Sequence, residues 1–461
     1  MQQFDAISPI DYRYYPNNEK IFQQLQPYLS ENALIEYMAM TEVALIAGFA
    51  DEGICSKEIF EEIKHTAPLI TAEQVYAEEK RIHHLVRALV NCFGEYVSPE
   101  AKRFIHLSAT SHDIICTAEA LRYQDITQKV LLPKLLELEK TLLYVAEKEK
   151  ATLQIGRTHG QHAVPITFGF AIAEYVARVG ERIHEITAKA LQLRGQLSGA
   201  VGAYNASSLI VKDPVAFEKN VLAKLNLKPA THSTQIVVPE FMTDYVHSII
   251  SCFGVLANLA DDMRHLQRTE IGEVGELFEE KQVGSSTMPH KKNPIHFEHV
   301  KSLYKATMPR MMTLYLDQIS EHQRDLTNSA SSRFTTEIVA NFYLAIDRLT
   351  RTMKKLAVDK EAMQRNFAMS KESIVAEPLY VLLSLHGCQD AHEKIRVAAE
   401  IARLEKKSLL QKVREMPELL EVVVKFTPEQ KQILENPEQY LGKAVEKTEE
   451  TCNYWRKELG L

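Results

Sequence analysis

Glycine is scarce in this chain, at 17 of 461 residues, well below the usual share of roughly 7%. Tight turns and strand punctuation are correspondingly few, which tilts the expected fold toward helices. Cysteine is sparse as well. The six (Cys55, Cys92, Cys116, Cys252, Cys388 and Cys452) are scattered and form no CxxC, which argues against a disulfide frame or a thiolate zinc site and for reduced thiols in the cytoplasm. Positive charge shows no excess: 54 basic residues stand against 61 acidic ones, a net charge of −7, so no nucleic-acid partner is expected. No unbroken run of 18 apolar residues occurs, and the opening MQQFDAISPIDYRYYPNNEK lacks the basic-then-apolar layout of a signal peptide. No membrane partner is expected.

What is present in quantity is helical periodicity. Leu131, Leu135, Leu138, Leu142 and Val145 step by four and three, as do Val339, Phe342, Ile346, Leu349, Met353 and Leu356. Val246, Ile249, Ile250, Phe253, Leu256, Ala257, Ala260 and Met263 make a third, broader stripe. Such spacing keeps one apolar seam against neighbouring helices over many turns, so these residues are expected to be core. The fold class expected is all-α, a bundle of long helices within one chain or shared between chains. Three helical parts are expected: residues 1–108, a central bundle over 109–357, and 358–461.

Three polar segments interrupt the helices. In LSATSHDIICTAEALR (107–122), Thr110, Ser111 and Asp113 precede a helical run. N-capping accounts for them, and a helix N-terminus is also a ready anion site. In IGRTHGQHAVPITFG (155–169), Thr158, His159 and Gln161 gather where a long helix ends, a setting suited to a positioned proton carrier. The His159/His162 spacing also fits a helix face that could ligate a metal, but no HExxH or carboxylate set accompanies it, and no metal is expected. The third segment is VGSSTMPHKKNP (283–294). Gly284 permits unusual backbone angles, and successive N–H groups around Ser285 to Met288 could form an anion-binding nest beside Lys291. A serine hydroxyl becomes a useful base only in such surroundings. Glu298, just beyond, could orient a histidine from elsewhere.

GSSTMPHKKNP resembles the GSSxMPxKxNP signature of the fumarase/aspartase superfamily of lyases. TSHD and GRTHGQHA resemble that superfamily's other two regions, in the same order. Within it the details resemble the adenylosuccinate lyases. SPIDYRYY is similar to their opening SPxDGRY, which places Arg13 and Tyr14 at nucleotide-binding positions. THSTQIVVPEF supplies Gln235 as a substrate contact, and HQRDLTNSASSR resembles the phosphate-binding stretch through Arg324, Ser329 and Arg333. The chain departs from the family at Tyr12, where the family has Gly. It departs again at the RHD triplet, which reads Ile82, His83 and His84 here, at Val164 in place of the Glu of HAEP, and at His299, a position that varies.

The resemblance implies β-elimination of fumarate from adenylosuccinate to give AMP, and from SAICAR to give AICAR, without a cofactor, by a homotetramer whose sites are shared between chains. It implies Ser285 as general base, with Lys291 and the loop backbone stabilising the developing charge. His159 would be the general acid, oriented by Glu298. Ser286, Asn293, His83 and His84 would bind substrate, Thr110 and Ser111 would hold a carboxylate, and the arginines would take the phosphate. Two alternatives stand beside this: another fumarate-releasing lyase of the argininosuccinate lyase kind, and a non-catalytic helical relative. Arg13, Arg324 and Arg333 weigh against the first, and the joint presence of His159, Ser285 and Lys291 against the second.

Overall fold

The computed structural model describes residues 8–277, 287–288 and 290–461. They fold mainly as helices, the longest being Glu31–Asp51, Phe168–Gln192, Glu240–Leu266 and Thr335–Lys354. Sheet structure among the described residues is confined to three two-stranded pairings, so the all-α expectation holds. The apolar stripes are core. Leu135, Leu138, Leu142, Phe253, Leu256, Phe342, Ile346 and Leu349 are fully buried. One stripe ran a step too far: the helix stops at Lys354, and Leu356 pairs in a strand with Glu276. Periodicity of side chains does not register where the backbone leaves the helix.

The chain divides into two compact units, residues 1–136, 181–256 and 302–347 in the first, residues 137–180, 257–301 and 348–461 in the second. In the first unit the Glu31–Asp51 helix packs on Ser111–Ile126, and Phe253 meets Tyr304 and Phe342 with ring centroids 5.6 Å apart in each case. The stretch Glu19–Asp51 holds no unbroken run of 18 apolar residues but is long and apolar enough to cross a membrane by length and composition alone; 67% of its apolar window is buried inside the protein. Ser30 interrupts it, capping the second helix by accepting from the Ala33 N–H at 3.1 Å. Its apolar character belongs to the core.

In the second unit an antiparallel hairpin, Leu153–Thr158 with Gln161–Thr167, lies against the Lys360–Ile374 helix. A β-bulge interrupts its register between Ile155 and Arg157. The bulge falls on Gly156, where a Cβ would come within 2.6 Å of the Val164 carbonyl oxygen, so only glycine fits. Near the C-terminus, Leu379, Leu383, Ala398, Val413 and Leu419 form a separate buried cluster.

Candidate active site

The Ser111–Ile126 helix starts with a capping box. Thr110 is its N-cap, and the Asp113 carboxylate accepts the Thr110 N–H at 2.9 Å. The capping reading of this segment was therefore right, but Asp113 does more. Its two oxygens also accept from the N–H groups of Ser198 and Gly199 at 3.0–3.3 Å, tying a distant loop to the helix start. Burial pushes this carboxyl up to about 6, against the lowering effect of those N–H donors. The loop before the helix is held in turn by the fully buried Glu42, which receives the His106 N–H at 3.0 Å and lies 2.7 Å from its Nδ1.

His83 and His84 form the corner between the helices Ala72–Ile82 and Leu85–Tyr96. His83 ends the first in a left-handed conformation, φ 58°. His84 caps the second: its Nδ1 accepts the Arg87 N–H at 3.2 Å, and its Nε2 lies 3.4 Å from the Ser111 hydroxyl. The structure thus brings His84 and Ser111 together, with Thr110 beside them.

Arg324, Ser329 and Arg333 belong to the same unit. Arg324 lines a cavity of about 200 Å³ with His112, Cys116, Val237 and Asn328. Burial, and secondarily the Arg324 charge, holds His112 down at about 4, so its ring is neutral near pH 7. Asn328 donates to the Asp317 carbonyl at 3.1 Å and Ser331 to the Asp317 carboxylate at 2.6 Å, which shapes the turn leading to the short helix Ser329–Ser332. Arg333 is exposed. Gln235 is anchored through its carbonyl, which accepts from Gln196 at 2.6 Å, and the neighbouring Thr234 hydroxyl donates to the Gln323 carbonyl at 3.0 Å. Arg13 is exposed and Tyr14 half-buried on a single wide (π-helical) turn, Ile10–Tyr14.

The second unit carries His159, Lys291, Asn293 and Glu298. His159 sits on a hairpin tip and not on a helix. With Gly160 it makes the two-residue turn, φ 53° and 72°, the left-handed pair that suits the twist of flanking strands. His162 faces Ser370 with Nδ1 2.7 Å from the hydroxyl, so the two histidines do not share a helix face. The hairpin is fixed by the fully buried Glu273, which receives Arg157 at 2.6 and 3.1 Å, Gln154 at 2.8 Å and Asn366 at 2.8 Å. Among the described residues, no hydrogen bond joins His159 to Glu298 within this chain.

Ser285 and Ser286 lie outside the described residues. The C-terminal end of the signature is anchored. One Glu276 oxygen accepts the N–H groups of His296 and Phe297 at 2.9 Å each. Gln267 takes the Glu276 N–H at 3.0 Å and gives its own to the Lys292 carbonyl at 3.3 Å. Burial pushes the Glu276 carboxyl up to about 7. Lys291 and Glu298 are exposed and Asn293 half-buried at this end. Among the described residues no three His, Cys, Asp or Glu side chains gather closely enough to ligate one ion.

Residues 13–307 match a family model described as lyase, and residues 320–440 one described as adenylosuccinate lyase C-terminal. The adenylosuccinate lyase of Archaeoglobus fulgidus is 37% identical, with 97% of this chain and 98% of that protein covered. That of Pyrococcus horikoshii is 35% identical over the same shares. The chain belongs to the adenylosuccinate lyase family. Its fold is also that of a fumarate lyase from Mesorhizobium sp. BNC1 (TM-score 0.80, 23% identity, 94% and 97% of the two chains). A 3-carboxy-cis,cis-muconate lactonizing enzyme from Pseudomonas putida is similar to the same degree (TM-score 0.80, 23% identity, 95% and 97%).

Reading the adenylosuccinate lyase motifs along the chain missed the partners that anchor the start of the Ser111–Ile126 helix and, in the other unit, the hairpin bearing His159. Asp113 lay inside a recognised motif, yet its partners Ser198 and Gly199 are some 85 positions away. Glu273 carried no local signal beyond lying between two helices.

Proposed function

We propose that this chain cleaves adenylosuccinate to AMP and fumarate, and SAICAR to AICAR and fumarate. The observation that carries the reading is the start of the Ser111–Ile126 helix, in a chain related over nearly its whole length to adenylosuccinate lyases. There two hydroxyls at a helix start stand in the same unit as Arg324. That is chemistry for a substrate bearing both carboxylates and a phosphate.

The reaction must remove a weakly acidic proton beside a carboxylate. Ser285 takes it; the C–H electron pair becomes the double bond of fumarate, and the C–N pair leaves on the purine nitrogen, which receives a proton from His159. Lys291 and the signature backbone offset the charge that builds on the carboxylate, where binding must be stronger than in the ground state. Thr110 and Ser111 hold a carboxylate; Ser286, Asn293, Gln235 and His83 position the succinyl portion. Arg13, Tyr14, Arg324, Ser329 and Arg333 take the nucleotide. No cofactor enters.

The active form is a homotetramer whose sites draw on several chains. Two features support this. His159 is exposed and has no bond to Glu298 in one chain, and Met312, Leu316 and Ile319 are 61%, 66% and 62% exposed, an apolar patch that suits a subunit interface. All six cysteines are free thiols, which fits a cytoplasmic enzyme.

Adenylosuccinate cleavage followed by ultraviolet absorbance tests the reading. Ser285→Ala and His159→Ala should each abolish turnover without dissociating the oligomer, and an equimolar mixture of the two variants, reassembled, should regain part of it. Turnover surviving in both single variants removes the acid and base assignments. Arg333→Ala should raise KM, and an unchanged KM removes the phosphate role.

A further inference from the structure

His84 stands where the family motif has an acidic residue, and its geometry defines which nitrogen carries its proton. A backbone N–H can only donate, so the Arg87 N–H, 3.2 Å away, requires an unprotonated Nδ1. In the neutral imidazole the proton then sits on Nε2, which faces the Ser111 hydroxyl oxygen at 3.4 Å. The Ser111 oxygen is thereby the acceptor, and its own hydrogen must point elsewhere. Ser111 is the first residue of its helix, so the same end also presents N–H groups with no intrahelical acceptor.

We infer that His84 is a positioning residue: it turns the Ser111 hydroxyl hydrogen outward, toward a carboxylate of the bound succinyl group. The inference rests on the reading of Thr110 and Ser111 as the carboxylate-holding pair. A neutral donor here replaces an acidic side chain, which would accept the serine hydrogen and take it away from the substrate.

His84→Asn separates the two roles, because asparagine is a good N-cap but is too short to bridge to Ser111. The test measures KM for adenylosuccinate, inhibition by fumarate and inhibition by AMP, for the parent, His84→Asn, Ser111→Ala and the double variant. His84→Asn should weaken fumarate about tenfold, the loss expected of one charge-assisted hydrogen bond, and leave AMP inhibition and the melting temperature unchanged. Ser111→Ala should show the same split. The double variant should be no worse than Ser111→Ala alone, because both changes remove one interaction. Equal weakening of fumarate and AMP, additive losses, or parental behaviour in His84→Asn would each overturn the positioning role. A parent that releases no fumarate would instead overturn the function proposed above, so the two failures are distinguishable.

Discussion

Glu139→Gln isolates the cost of one buried acid. Glu139 lies on the Leu132–Lys148 helix, is fully buried, and has no hydrogen-bond partner on either carboxyl oxygen. Burial alone pushes its carboxyl up to about 9, since nothing nearby stabilises the charged form. Proton counting gives the sign. Between the unfolded value of about 4.5 and the folded value of about 9, the folded chain holds one proton that the unfolded chain has released. Stability from this group is therefore fully present below about pH 4.5 and declines as pH rises, by about 1.4 kcal/mol per pH unit, until about pH 9. From pH 6 to pH 8 the loss is about 3 kcal/mol. Glutamine does not titrate. Whatever the buried amide costs, that cost is the same at every pH, so the variant should gain this much stability relative to the parent. At about 2.1 cal/mol/K per residue of unfolding entropy, 461 residues correspond to about 1 kcal/mol per degree. The Tm gap should grow by about 3 °C. The assay is a pair of melting curves across pH 6–8, at matched concentration and scan rate. A gap that stays constant refutes the reasoning, because it means Glu139 is already ionised and stabilised in the folded chain.

Glu273→Gln should be damaging in the second unit, because Glu273 holds Gln154, Arg157 and Asn366 at once. It strips the half-buried Arg157 of its carboxylate and leaves the buried end of the pair uncompensated, at a cost of about 3 kcal/mol, and should lower Tm and kcat together; an unaltered melting curve would count against the anchoring role. Gly160→Ala meets no steric obstacle, since nothing lies within 4 Å of the added Cβ, but it forces a side chain to φ +72° at about 1–2 kcal/mol. If His159 donates the proton from this turn, kcat should fall several-fold with little change in KM, and an unchanged kcat would place the proton donor elsewhere.

Much of the candidate site was legible in the chain because its chemistry is local. Thr110 and Asp113 read as a cap, and they are one. His159 read as a positioned proton carrier, but the element beneath it was misplaced, because a His–Gly pair after a long helix reads equally well as a helix end. Only the strand pairing of Leu153 with Thr167 and its neighbours turns that pair into a hairpin tip. The stretch Glu19–Asp51 shows the same limit, since composition does not distinguish a core helix from one that meets lipid, and only its burial does.

The amino-acid order by itself determined the helical class, the buried stripes and the residue types at each polar break, because these follow from spacing along one element and from side-chain chemistry. Tertiary structure decided which distant groups meet. Asp113 reaches Ser198 and Gly199, Glu273 gathers Gln154, Arg157 and Asn366, and His84 faces Ser111. Those pairings join positions that only packing brings within hydrogen-bond range. They fix each group's hydrogen-bond partners, which no local pattern encodes.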